Sequence, residues 1–352
     1  MYLPAYPKKI TKFKKIKNNN IDNLFYFRSA SNALYFYLTN IQKHTNNIIY
    51  IPSFICRSVS DVAYEAGFKI IFYDLHENLS PKIDINLLNK GDVVVFVNYF
   101  GFNINPITSL HKYLEKKIHI ILDNSHQMPT DEDFFNVLPV AKIFSLWKTL
   151  PVSEGGVLVY NNFNKDLQIN RKDFKIHLIK YTTQKIQLIS FLINLNLLFL
   201  KDKLKGYLRR KLKNIINQKD FSEGPFKSPL FLKYIDFDIA RSARINNYKY
   251  LMKNIKKIKN INIMFEEISN GTIPFTLPIA TKNAKSVVTQ IRQYGVECFM
   301  WPYEDLPSEI SIENYDVLKY WYQNVIHLPI QQNFKRKHLD RIIYAINKTI
   351  KS

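Results

Sequence analysis

Residues 92–97 (DVVVFV) form a continuous apolar run, and residues 118–122 (IHIIL) come close to another. A strand without polar alternation is covered on both faces, which is the condition inside a parallel sheet flanked by helices. The neighbouring segments fit that arrangement. Residues 47–51 predict a short strand stopped at Pro52, residues 58–67 a helix closed by Gly67, and residues 69–73 a strand ending on Asp74. Helices are expected over 31–44, with Ser31 or Asn32 near the N-cap, and over 106–117. Such alternation implies an α/β fold with a mostly parallel sheet and right-handed crossovers. Ligands of these sheets gather outside the carboxyl ends of the strands, where Asp74, Asn98, Asp123 and Ser145 all fall.

The rest of the chain changes character. Residues 1–20 are basic and suit an arm or loop. Residues 236–258 predict one long helix leading into a smaller α/β layer, with strands at 272–279, 296–300 and 325–329 and helices at 284–294 and 337–350. The expected division is a large unit, residues 1–230, with a helical insertion near 175–220, and a small C-terminal unit, residues 231–352. Residues 183–217 join IQLISFLINLNLLFL to KDKLKGYLRRKLKN. The apolar part is about 15 residues, below the roughly 20 that span a bilayer. Packing on the large unit or on a partner subunit is expected, with peripheral membrane contact through 187–217 as the alternative.

Composition narrows the partners. In 352 residues, 46% are hydrophobic and 14% aromatic, enough for a sizeable core and too much for global disorder. Lys and Arg number 50 against 29 Asp and Glu, a net charge of +21. That excess attracts phosphate-bearing small molecules, anionic membranes or polyanions, although general over-use of Lys, Asn and Ile explains it equally well. The basic residues are spread along the chain rather than gathered with aromatics on one face, so no nucleic-acid partner is expected. Cys56 and Cys298 lie far apart, as suits a reducing compartment. The N-terminus shows no apolar core with a cleavage site, so a cytoplasmic location is expected. The eight histidines lack metal-ligand spacing, and no metal site is expected.

The chemistry-bearing stretch is 118–160. One apolar run ends on Asp123, a second on Ser145, and Lys148 follows before Glu154, Gly155 and Gly156. A carboxylate and an amine at the ends of neighbouring strands suit pyridoxal phosphate (PLP). That cofactor needs a lysine to hold its aldehyde and move a proton, and a carboxylate to keep its ring nitrogen protonated. Its phosphate needs backbone N–H groups and hydroxyls, which a helix start provides. Ser29, Ala30 and Ser31 open a helix, and Ser145 adds a hydroxyl. Each residue also has a plain reading alone: Asp123 in a turn, Lys148 on the surface, Ser29 and Ser31 as caps. Lys142 is the rival lysine, expected to precede its strand and to point to the opposite edge. Phe54 and Cys56 are candidates to flank the cofactor ring.

These residues, taken in order, resemble the DegT-type (DegT/DnrJ) sugar aminotransferases, PLP enzymes of the aspartate-aminotransferase fold (fold type I). The similarity runs from about residue 25 to residue 348. Ser29, Ala30, Ser31, Asn32, Ala33 and Leu34 match Ser-Gly-Thr-x-Ala-Leu, and 51–54 match a Pro-containing strand end. Glu65, Ala66 and Gly67 with Asp74 match an Ala-Gly…Asp stretch, and 98–101 (NYFG) match the loop after the third strand. Asp123, Asn124, Ser125 and His126 resemble Asp-Ala-Ala-Gln/His; Glu154, Gly155 and Gly156 close the lysine segment; 325–329 (VIHLP) resemble a Leu-Pro strand.

The resemblance implies that Lys148 holds the cofactor aldehyde and that Asp123 faces the ring nitrogen. It places His126, or alternatively Gln127, near the phenolic oxygen, and Ser145, Ala30 and Ser31 on the phosphate. It also implies a homodimer, an amino-acid donor such as glutamate or glutamine, and a keto-sugar acceptor. The acceptor would be nucleotide-linked and belong to surface-polysaccharide or related glycan biosynthesis. Three departures stand out. Ser145 and Lys148 are three apart where many members have a longer step; Ala30 replaces a glycine; and the usual Asn-Tyr-Arg segment is missing, with 224–227 or 241–247 as candidate substitutes. A dehydratase of the same fold would carry histidine in place of Lys148. A PLP-binding member without turnover and a basic membrane-surface protein are the remaining alternatives.

Overall fold

The structure, a computed structural model, describes residues 24–105, 107–130, 133, 139–150, 155–160, 237–269, 271–302 and 305–350. Its main sheet has eight strands. They are β1 (Leu24–Phe27), β2 (Ile48–Pro52), β3 (Lys69–Leu75), β4 (Pro81–Lys82), β5 (Val93–Val97), β6 (His119–Asn124), β7 (Val140–Ser145) and β8 (Gly156–Val159). Their order across the sheet is β1-β8-β7-β6-β5-β2-β3-β4. The five central strands, β7, β6, β5, β2 and β3, run parallel, while β8 and β4 are antiparallel to their neighbours. β5 is buried at every position, as its unalternated Val and Phe side chains require.

Helices α1 (Ala30–Ile41), α2 (Arg57–Glu65) and α3 (Ile107–Glu115) link these strands, and a single turn, α4 (Leu146–Thr149), follows β7. The N-cap of α1 is Ser29 rather than Ser31 or Asn32. Its hydroxyl accepts from the Asn32 N–H at 3.2 Å, the geometry that satisfies a first-turn donor. Leu34, Leu38 and Ile41 then repeat at helical spacing on the buried face.

A second, antiparallel sheet is ordered β11-β10-β9, from β9 (Asn262–Ile263), β10 (Thr276–Ala280) and β11 (Val325–Pro329). Helices α5 (Phe237–Ile255), α6 (Ala284–Gln293), α7 (Asp316–Asn324) and α8 (Arg336–Ile350) accompany it. One continuous apolar cluster runs from Phe27 and Leu38 through β5 and β6 to Leu277, Ile326 and Ile346, so the two sheets share a core.

Several expectations change here. The segment expected as a strand over 296–300 forms isolated bridges at Val296 and at Phe299, the latter opposite His327, rather than a continuous strand; Pro302 follows soon after and has no N–H to extend a ladder. The strand expected from 272 begins at 276: the Ile273 and Phe275 N–H groups donate instead to the Gly101 and Phe100 carbonyls. Helix α7 was not foreseen. The basic arm, the insertion near 175–220, the stretch 187–217 and the 230/231 boundary lie outside the described residues. No helix among the described residues is long and apolar enough to cross a membrane.

Candidate functional site

Asp123 is the fifth residue of β6. It stands opposite Ile143 of β7 and Val97 of β5, at the carboxyl edge of three parallel strands. Its Oδ1 accepts from the Ser125 N–H at 2.8 Å, which fixes the carboxylate over the turn that follows. Side chains alternate along a strand, so Asn124 points to the opposite face. There its Oδ1 accepts from Asn98 Nδ2 at 2.9 Å, and Asn98 in turn accepts from the Asn105 N–H. Asn98 is therefore a structural clamp. Asp74 stands apart as well: β5 and β2 separate β3 from β6, and its carboxylate reaches Lys82 at 3.9 Å.

Lys148 sits in α4, directly after β7, and is half-buried. The turn is anchored twice: the Leu146 N–H donates to the Gly155 carbonyl at 2.9 Å, and the Leu150 N–H to the Leu146 carbonyl at 2.7 Å. Gly155 also donates its N–H to the Arg28 carbonyl at 2.8 Å. Gly156 pairs with Ser145 on one side and with Phe27 on the other. A Cβ on Gly156 would lie 2.2 Å from the carbonyl carbon and oxygen of Ser29 and 2.6 Å from Ala30 N. The glycine pair thus joins the lysine turn to the start of α1. That start carries no acidic side chain in its first turn, leaving the positive end of the helix dipole open to an anion. Ser145 is buried and spends no hydroxyl bond on capping α4. Lys142, the rival lysine, lies inside β7 rather than before it and pairs with Asp133 at 3.0 Å.

His126 is buried in an aromatic box. Its ring stacks on Phe275 (5.1 Å, 3°) and Phe100 (5.4 Å, 15°), with Trp301 edge-on at 5.2 Å. Nδ1 accepts the Phe100 N–H at 3.3 Å. Burial, then the nearby Lys148 and His327 charges, hold its pKa well below the usual histidine value. A neutral ring that accepts at Nδ1 carries its proton on Nε2, so His126 offers a donor there. Phe100 adopts a left-handed backbone (φ 55°), which non-glycine residues enter only when their surroundings hold them. The holding contacts are the His126 bond and the Phe275 N–H at 2.7 Å.

Phe54 packs in the same aromatic group, stacked on Tyr99 and edge-on to Trp301. Tyr99 donates its hydroxyl to the Phe54 carbonyl at 2.6 Å, and burial, with the charge of Asp123 among the lesser causes, raises its pKa well above 10. Cys56 is half-buried in the loop beyond. The structure thus brings Asp123, His126, Ser145, Lys148, Ser29, Ala30 and Ser31 to one edge of the main sheet. Glu154 lies outside the described residues, as do 224–227. Among the described residues no group of three or more His, Cys, Asp or Glu side chains could hold a metal ion.

Sequence reasoning did not find Phe275 or Trp301, and it reached Phe100 and Arg244 only as members of the stretches 98–101 and 241–247, without a role for either side chain; the second stretch lies inside α5. Arg244 is buried in the middle of α5 and donates to the Thr149, Pro274 and Phe275 carbonyls and to Gln332 Oε1. The signal was present in the sequence. Ala240, Arg244, Tyr248, Leu251 and Ile255 recur at helical spacing, which marks one buried stripe and sets Arg244 within it.

By sequence, no family model and no curated protein matches the chain. By structure, it resembles PseC of Helicobacter pylori, an aminotransferase involved in the biosynthesis of pseudoaminic acid, over 100% of both chains (14% identity, TM-score 0.65). It also resembles Spr1654 of Streptococcus pneumoniae, described as a sugar aminotransferase and solved in its PMP form. That match spans 100% of this chain and 98% of the other (13% identity, TM-score 0.68). A third is CalS13 of Micromonospora echinospora, a sugar aminotransferase (9% identity, 98% and 99% covered, TM-score 0.61). The chain has their fold, that of the fold type I PLP-dependent transferases.

Proposed function

We propose that the chain is a PLP-dependent aminotransferase, moving an amino group from an amino acid, glutamate or glutamine, to the keto group of a sugar. One observation carries this reading. The Gly155–Gly156 turn is bonded to the lysine-bearing turn and lies against the backbone of Ser29 and Ala30, so the lysine turn and the start of α1 share one wall. Asp123 stands at the end of the strand beside that wall.

The donor set fits the cofactor. The α1 N-terminus, with Ser29, Ala30 and Ser31, and the Ser145 hydroxyl would hold the phosphate. The Asp123 carboxylate would keep the ring nitrogen protonated, and the His126 Nε2–H would meet the phenolic oxygen. Lys148 would hold the aldehyde. When bound, PLP supplies an electron sink for the substrate carbon–hydrogen bond that breaks. Lys148 Nζ, freed from the aldehyde, would take the proton from the donor's α-carbon and later return one to the acceptor carbon. The aromatic box around His126 would exclude water from its side of that path.

The reading extends to a nucleotide-linked acceptor in glycan biosynthesis, to a cytoplasmic homodimer, and to units at 1–230 and 231–352. Purified protein with PLP should absorb in the near-visible range, and Lys148→Ala should lose that band. Glutamate or glutamine should then bleach it, with release of the matching keto acid. A colourless protein would refute PLP binding. A band that no amino acid bleaches would refute turnover and leave a binding protein.

A further inference from the structure

We infer that Arg244 is a positioning residue that sets Lys148 against His126, by tying the backbone of the lysine turn to the backbone of the aromatic wall. The inference rests on the proposed function. One arm reaches Thr149, the residue after the lysine: its carbonyl accepts from Arg244 Nη2 at 3.5 Å and from Gln332 Nε2 at 3.0 Å. Arg244 Nε donates to Gln332 Oε1 at 2.9 Å, so the two side chains form a single fork on that carbonyl. The other arm reaches the Pro274 carbonyl at 3.2 Å and the Phe275 carbonyl at 3.1 Å, both through Nη1. Phe275 is the residue whose ring lies flat on His126, and its N–H holds the Phe100 carbonyl. A path of direct contacts therefore runs from the turn bearing Lys148 through Arg244 to both rings that sandwich His126.

The placement of α5 suits this link. Its first residues, Phe237 and Ala240, pack with Leu146 and Leu150 around the lysine turn, while its later residues pack on α8 and β10. Arg244 lies between. A guanidinium is costly to bury, and burial pushes its pKa down to about 9, which still leaves it charged at neutral pH. A position that needed only volume would be filled more cheaply by Met or Leu. What Met and Leu lack is a planar fork that can hold carbonyls from several segments in one fixed arrangement.

Hydrogen exchange on the cofactor-free full chain provides the direct test, with Arg244→Met, Arg244→Lys and Gln332→Ala as variants. Gln332→Ala leaves the Pro274 and Phe275 bonds intact and so guards against a variant that fails to fold. Exchange of the 146–150 amides should rise by about tenfold in Arg244→Met and Gln332→Ala while β5 and β6 stay protected. Arg244→Lys keeps the charge but not the fork, so it should rescue only in part. With PLP added, circular dichroism of the visible band, per bound cofactor, should fall at least by half in the same variants, because the lysine no longer has one orientation. Unchanged exchange at 146–150, or a rise that tracks β5 and β6, would overturn the inference. If the unmodified chain takes up no PLP, the proposed function falls, and the exchange result still decides whether the clamp exists.

Discussion

Gly156 faces Ser29 with no room for a side chain: a Cβ there would meet the Ser29 carbonyl carbon and oxygen at 2.2 Å. The obstacle is backbone, so it cannot rotate away. Gly156 also pairs with Ser145, two positions into the site from Ile143, which stands opposite Asp123. Glycine at 156 is thus what lets the start of α1 sit beside the end of β7. Gly156→Ala should push the two apart at a cost of about 1–3 kcal/mol, the usual range for overpacking. Thermal unfolding should show the loss, and PLP titration should show affinity falling by more. A variant with the parent's melting temperature and PLP affinity would refute this.

The two lysines of the β7 region should separate cleanly. Lys148→Ala should keep the fold and reduce turnover by about 10²–10⁴-fold, the range for losing a positioned acid–base group. Lys142→Met should do the reverse. It removes the cation from a largely buried pair and leaves the Asp133 carboxylate, among the described residues, with the Thr130 N–H and hydroxyl, so about 3 kcal/mol of stability is expected to be lost. Chemical denaturation and transaminase assays on the folded fraction would check both. Loss of the cofactor band in Lys142→Met at full folding would reverse the assignment.

How much of this was legible depended on what kind of signal each residue leaves. β5, β6 and β7 were readable because burial on both faces removes polar alternation, and Asp123, Ser145 and Lys148 then mark where the apolar runs stop. The first helix was readable in type, but its cap was misplaced by two or three positions: Ser29, Ser31 and Asn32 are all good caps, and only the backbone separates them. The start of β10 was misread because tertiary bonds outweighed local preference. Phe275 has strand propensity, yet Phe100 takes its N–H and Arg244 its carbonyl. Arg244 left a periodic signal that its charge concealed, since a charged residue in a helix is usually solvated. The αL conformation of Phe100 left none, because nothing local in 98–101 beyond Gly101 announces it.

Thr149 offers a stabilising substitution next to the proposed lysine. Its backbone carbonyl is held by Arg244 and Gln332, but its hydroxyl Oγ1 is buried with no hydrogen-bond partner among the described residues. A buried hydroxyl without a partner costs about 1–3 kcal/mol of desolvation. Thr149→Val preserves shape and carbonyl while removing that group. The melting temperature should rise, consistent with about 1 kcal/mol. A fall would mean that the hydroxyl is satisfied in solution, by water or by a neighbour.

His327 should make the protein acid-sensitive in a defined window. Its ring is buried, with Thr276 Oγ1 2.9 Å from Nδ1 and, among the described residues, no partner at Nε2, and burial lowers its pKa to about 3. In the unfolded chain the ring titrates near 6.5. Between those values the unfolded state binds a proton that the folded state refuses, so stability falls as pH drops below 6.5, by up to about 1.4 kcal/mol per unit, and levels off below the folded pKa. From pH 7 to pH 5 the loss from His327 is about 2 kcal/mol. His126, also held well below its ordinary value, acts in the same direction. His327→Gln removes one titrating ring and keeps a hydrogen-bonding group for Thr276. Urea unfolding at both pH values should then show a pH-dependent loss about 2 kcal/mol smaller than in the parent. An identical loss in the two proteins would mean that His327 accepts its proton while folded, and so is not sealed from water by Phe100 and Phe299.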